Sequence, residues 1–278
     1  MRILSAALAA TLLLPTLAFS QTLDRIKESG EFVVGFRTDA APLSFLSDNG
    51  PQGYSPEICV RLAPSIATAA GLESMDMVFE PVTTENRFEK VASGEIDLLC
   101  GAATITLSRR ELVDFSAITY VDGTTIALKV DAPESFEALA GQKVGVRSGT
   151  TTLDALNNSL AAANIDAEVV EFADHTEGMA ALEADEITAY FADQSILMNL
   201  VLAREDAADF KVFDQILTVE KQGFAMQRGD TDFRLAVDAG LSVLFEQGDF
   251  EEVYKNTIPG ARPGFAIEAM FLLSPTLP

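Results

Sequence analysis

The sequence predicts an α/β fold of two lobes, each a mixed, mostly parallel sheet flanked by helices, joined by a two-segment hinge. Three observations predict it. Short apolar runs alternate with segments of helical periodicity along most of the chain, the pattern of β–α units in layered sheets. A strand-end pattern recurs, VVGFRTDAAPL at 33–43 and KVGVRSGTTTL at 143–153, sharing V-G-x-R-[ST]. A second echo follows in the same order, VASGEIDLLCG at 91–101 and LEADEITAYFAD at 182–193, so the two halves repeat one plan.

The first twenty residues, MRILSAALAATLLLPTLAFS, read as a secretory signal: Arg2, an apolar run over 3–17, and small residues at 18 and 20 for cleavage before Gln21. The run falls short of the ~20 residues that span a bilayer and is broken by Pro15. Beyond it, buried strands are expected at 31–36, 77–82, 96–100, 125–130, 143–146, 168–172 and 187–191. Helices are expected at 55–70, 84–93, 151–163 and 176–184. Ser55-Pro56-Glu57 is a helix start, and Pro64 should kink or shorten that helix. The chain leaves the first lobe at 120–123 and returns near 218–223, and helices at 231–247 and 249–255 complete lobe one. Lobe one is therefore residues 21–121 and 222–278, and lobe two is residues 122–221. Two connections make a hinge that permits closure on a ligand. The tail segment AIEAMFLL is too apolar for water and should pack on lobe one.

Composition narrows the function. With 42 acidic against 19 basic residues and a formal net charge of -23, nucleic acid and anionic lipid are poor partners. One histidine and two cysteines offer no zinc-like cluster, so neither metal nor cofactor is expected. Cys59 and Cys100, in an exported chain, either pair or remain two buried thiols.

The residues with chemistry gather at expected strand ends: Arg37, Thr84 and Arg87, then Thr104 and Arg109, then Ser148-Gly149-Thr150-Thr151, His175 and Asp193. SGTT before a helix offers backbone N–H groups at a positive dipole end, suited to a carboxylate, or else is only a capping turn. An arginine fork takes a carboxylate through paired charge-assisted bonds. Asp193 can accept from an ammonium group. Arg110, beside Glu111, reads as a surface charge.

These stretches carry a resemblance. LDRIKESGEFVVGFRTDAAPLSF, GYSPEI, TTENRFEKVASGEIDLLCGAATITLSRRELVDFS, VRSGTTTLDAL, ITAYFADQSIL and FEQGDFEEVYKNTIPG resemble, in order, periplasmic solute-binding proteins of the polar amino acid family that serve ABC importers. The resemblance implies the type II periplasmic-binding-protein fold, one amino acid in the interlobe cleft, a membrane permease as partner, and a monomer. It implies that Arg109 holds the ligand α-carboxylate, assisted by Thr104 and by Thr150 and Thr151. Asp193, with a carbonyl near Ala102, takes the α-ammonium group. Arg37, Thr84, Arg87 and His175 resemble the glutamate/aspartate branch, where cationic groups receive a second carboxylate and oppose a lysine-like ligand. Two features depart from that branch: Gly101-Ala102-Ala103-Thr104 lacks a hydroxyl common there, and Thr84 replaces the more usual serine. With no tryptophan, Phe36 or Phe45 would supply an apolar surface for the ligand. A neutral polar amino acid such as glutamine is the alternative ligand. Dehydratases of cyclohexadienyl or arogenate substrates on the same fold are the alternative activity, with His175, Asp193 or Glu85 as the acid or base.

Overall fold

The computed structural model describes residues 22–213, 215–258, 260 and 262–277. The expected signal segment lies outside them. Among the described residues no helix is long and apolar enough to cross a membrane.

The chain opens with α1 (Thr22–Ser29) and β1 (Glu31–Arg37). A small antiparallel sheet follows, formed by β2 (Asp39–Ala40), β3 (Ser44–Ser47) and β4 (Gly50–Gln52). Next come α2 (Tyr54–Ala69), β5 (Asp76–Val82), α3 (Arg87–Ser93), β6 (Leu98–Leu99) and β7 (Val113–Asp122). The second lobe runs through β8 (Thr124–Lys129), β9 (Lys143–Arg147), α4 (Thr151–Ala163), β10 (Glu168–Phe172) and α5 (His175–Glu183). It ends with β11 (Ala189–Asp193), α6 (Gln194–Leu202) and β12 (Phe210–Val212). The chain returns by β13 (Glu220–Gln227) and finishes with α7 (Thr231–Gln247), α8 (Asp249–Thr257) and α9 (Phe265–Leu273).

The strand order is β5-β1-β6-β13-β7 in one sheet and β10-β9-β11-β8-β12 in the other. Both sheets are mixed. β1 runs parallel to β5 and β6, and β9 runs parallel to β10 and β11. β13 and β8 are antiparallel to their neighbours. The two echoed motifs thus become β1 and β9, each a parallel strand ending in an arginine. Apolar side chains fill both lobes: Phe32, Val34, Leu62, Phe224 and Phe233 are fully buried in the first, and Val144, Leu156, Ala189 and Phe191 in the second.

Local chemistry moves several element ends. α2 begins at Tyr54, after Gly53 with φ 118°, so Ser55 lies inside the helix and is not its cap. The helix runs on past Pro64 to Ala69. Val60, whose carbonyl loses its helical partner to the proline, sits on the exposed side of the helix, within reach of solvent. α3 starts at Arg87 rather than at 84, because the Thr83 hydroxyl accepts from the Glu85 and Asn86 amides. Asn86 Oδ1 in turn accepts from the Thr83 amide, and this side-chain turn competes with helix. The tail forms α9, which buries Ile267, Met270 and Phe271 against the first lobe and leaves Phe265, Leu272 and Leu273 exposed.

Candidate functional site

Four parallel-strand exits face one another across the cleft. Arg37 ends β1 and Arg147 ends β9; Asp193 ends β11, and the 101–104 loop follows β6. A disulfide between Cys59 and Cys100 ties α2 to the start of that loop. Ligands settle at such carboxyl ends because loops there bring side chains and helix N-termini together.

The cavity between the sheets is lined by Arg37, Arg87, Ala102, Thr104, Arg109, Thr150, Thr151, His175 and Asp193, all expected from the sequence. Arg147, Thr152, Phe191, Ala192 and Ile196 complete the lining. Thr84 is not in the lining. Its hydroxyl, with one proton to donate, lies 2.7 Å from Glu85 Oε1 and, across the cleft, 3.0 Å from the Ser148 carbonyl. Phe36 and Phe45 also stay outside, and Phe191 and Ile196 supply the apolar wall instead. Arg110 is exposed, as its reading as a surface charge requires.

Four arginines therefore face one cavity. Arg87 is 2% exposed; its Nη1 donates to the Ala102 carbonyl at 3.0 Å, while its Nε is buried without a partner among the described residues. Burial and the charges of Arg37, Arg109 and Arg147 all disfavour its protonated form. Arg109 Nη1 donates to the Thr104 carbonyl at 2.8 Å, and its guanidinium lies 5.0 Å from the Phe88 ring centre. Arg37 spends Nε and Nη2 on Asp39 Oδ1, at 3.0 and 2.7 Å. Arg147 donates to Asp39 Oδ2 at 2.9 Å and to Glu85 Oε1 at 2.9 Å. Burial opposes the charge of Asp39, but Arg37 and Arg147 hold its pKa down at about 2. One carboxylate thus aligns two arginines, one from each lobe.

The start of α4 presents its amides without a side-chain cap. The Thr150 hydroxyl donates to the Arg147 carbonyl at 2.7 Å and caps nothing. The first helical N–H groups have no intrahelical partner and carry the positive end of the dipole. Thr150, Thr151 and Thr152 place them at the cavity.

Acidic groups gather at the hinge side. Glu220, 4% exposed, opens the return strand and accepts four hydroxyl donors. Oε2 takes Thr104 at 2.5 Å and Thr151 at 2.7 Å, and Oε1 takes Thr124 at 3.0 Å and Thr218 at 3.1 Å. The Thr104 and Thr151 protons, expected to serve a ligand carboxylate, are committed to Glu220. Asp193 Oδ2 accepts from Gln222 Nε2 at 2.9 Å. Burial, then the charges of Asp122 and Glu220, push the Asp193 carboxyl well above its ordinary range. An arriving cation would relieve that penalty.

The sequence reading omits Arg147, Asp39 and Glu220. Arg147 was signalled by the V-G-x-R echo, since it stands where Arg37 stands in the other half. Glu220 and Asp39 carried no such signal. Among the described residues no group of three or more His, Cys, Asp or Glu is placed to hold a metal ion.

Comparison with known proteins agrees with this architecture. An L-glutamate/L-aspartate-binding protein of Pseudomonas aeruginosa is 26% identical, over 99% of this chain and 93% of its own length. The glutamate/glutamine/aspartate/asparagine-binding protein BztA of Rhodobacter capsulatus is 32% identical, over 82% of this chain and 67% of its own. The crystal structure of a solute receptor for L-cysteine from Neisseria gonorrhoeae superposes with a TM-score of 0.76 at 25% identity, covering 87% of this chain and 97% of that one. The model of the bacterial extracellular solute-binding proteins, family 3, matches residues 32–259. With its paired α/β sheets and a polar cavity between them, the chain belongs to that family and is an amino-acid-binding protein of the ABC import type rather than an enzyme.

Proposed function

We propose that this chain binds an acidic amino acid, glutamate or aspartate, in the interlobe cavity and delivers it to a membrane permease after export through its signal segment. One observation carries the ligand class: the lining presents four arginines against a single acid, Asp193. A dicarboxylic amino acid brings two anions and one cation, which matches that set. Arg109 and the free amides of α4 take the α-carboxylate, and Asp193 takes the α-ammonium group. Arg37, Arg87 and His175, with Arg147 behind them, receive the distal carboxylate. The relatives named for glutamate and aspartate support the same reading. Thr104 and Thr151 act through Glu220, closing the two lobes together and not as carboxylate donors.

A second reading has its own support. Asp39 and Glu85 neutralise much of the charge on Arg37 and Arg147, which would suit a neutral distal carboxamide. Glutamine-binding proteins stand among the relatives. Thermal shift of the chain lacking residues 1–20 against the twenty amino acids separates the two. Glutamate or aspartate is expected to raise Tm most and lysine not at all. A larger shift with glutamine than with either acid would replace the first reading with the second.

A further inference from the structure

His175 is the chain's one histidine. It opens α5, is 3% exposed, and is one of the residues lining the cavity. One ring nitrogen, Nδ1, lies 2.9 Å from the Tyr190 hydroxyl; the other, Nε2, is buried and has no hydrogen-bond partner among the described residues. Which nitrogen carries the proton decides whether the site offers the ligand a donor or an acceptor.

Tyr190 is held so that its hydroxyl has little choice. It is fully buried in β11, with its ring edge-on to His175 and to Phe172. Two glycines make the slot. A Cβ at Gly178, one turn into α5, would fall 2.1 Å from the Tyr190 ring. One at Gly145, opposite Tyr190 in the ladder, would fall 3.1 Å from it. Among the described residues the hydroxyl's hydrogen-bond partner is His175 alone.

Proton accounting then separates three states. If Nδ1–H donates to the phenol oxygen, the tyrosine O–H and the Nε2 lone pair are both buried without partners. If the phenol donates to Nδ1, a single group is left over, Nε2–H. The doubly protonated ring is opposed by burial, which with the charge of Arg37 brings the imidazole pKa down to about 3; Asp39 opposes this only in part. The second state leaves the fewest buried polar groups unpaired. It also fits the surroundings, because a cavity lined by arginines receives ligand oxygens, which need donors.

We propose that Tyr190 is a positioning residue: its hydroxyl donates to His175 Nδ1, fixes the imidazole in its Nε2–H form, and makes Nε2–H a dedicated donor to an oxygen at the ligand's distal end. The last clause rests on the proposed ligand class. Neutral Nε2–H bonds a carboxylate or a carboxamide oxygen equally well in geometry, so His175 orients the distal group while the arginines choose its charge.

A single histidine makes the test direct. In the two-bond ¹H–¹⁵N spectrum of the chain labelled at imidazole nitrogen, at neutral pH, one pattern is expected, with Nε2 protonated and Nδ1 bare. L-glutamate should move the Nε2 resonance. Tyr190→Phe, with circular dichroism unchanged, should lose that single pattern and bind L-glutamate about tenfold more weakly. A wild-type spectrum with Nδ1 protonated, or with both nitrogens protonated, overturns the proposal. So does a folded Tyr190→Phe protein that keeps both pattern and affinity. Should Tyr190→Phe fail to fold, the wild-type pattern decides alone. The two readings fail separately: an Nε2–H pattern in a protein that ignores glutamate sinks the ligand class and supports the tautomer. Glutamate binding to a ring with Nδ1 protonated does the reverse.

Discussion

At the scale of residues, the cavity works by leaving donors unspent. Arg109 uses Nη1 on the Thr104 carbonyl, so the rest of its fork remains for a carboxylate at the mouth of α4. On the proposed binding mode, replacing it removes a paired, charge-assisted contact in a mostly buried site. Arg109→Ala is therefore expected to weaken every amino acid ligand by at least about 100-fold, measured by calorimetry; a loss below about threefold would move the α-carboxylate elsewhere. The same scale shows what sequence makes visible. Arg37 and Asp193 stand at strand ends, where alternation of apolar and polar residues already marks the exit. Arg147 was half of a repeated motif, but its role depends on Asp39 from the other lobe, a contact between residues 108 apart. Glu220 heads a strand whose start, EKQ, looks like any polar loop; its importance lies in four threonines from four different segments.

At the scale of elements, helices were easier to read than crossover strands. α4 and α7 have the bounds expected of them, because their apolar periodicity is local. β7 and β13 were missed as strands, since each is defined by pairing with the other across about a hundred residues. They form the hinge, and their pairing sets Asp122 opposite Glu220. Burial, and to a lesser degree Glu220, raise the Asp122 carboxyl from 3.8 to about 6, although Ser195 and the Gly123 amide stabilise its charge. A raised carboxyl pKa makes the folded state hold a proton that the unfolded chain releases. Stability on this account is complete below about pH 4 and declines as pH rises towards 6. Asp122→Asn, which keeps an acceptor for the Gly123 amide, should stabilise the protein at pH 8 by up to about 3 kcal/mol and leave it unchanged at pH 3.5. Denaturant unfolding at the two pH values checks this; a gain of equal size at both would assign the effect to packing.

At the scale of the whole molecule, the two lobes are already drawn together. Arg147 reaches Asp39 and Glu85, Thr84 reaches the Ser148 carbonyl, and Thr104 approaches Thr151 at 3.2 Å. These contacts favour the closed form, and the mutual repulsion of four arginines facing one cavity opposes it; ligand shifts the balance by its preference for the closed form. Thr84→Val removes a cross-cleft bond without altering the lining. It should enlarge the radius of gyration of the free protein in X-ray scattering and weaken ligand by about threefold to tenfold, while the ranking of amino acids stays as it was. A changed ranking would return Thr84 to the binding surface. The net negative charge does not conflict with an anionic ligand, because four arginines line the cavity and outweigh its one lining acid locally. The central claim, that the cavity is built for a second carboxylate, is tested most directly by calorimetry of L-glutamate and L-glutamine on wild type and on Arg37→Gln. The account predicts that wild type binds glutamate at least tenfold tighter than glutamine and that Arg37→Gln erases most of that difference; equal losses for both ligands would contradict it.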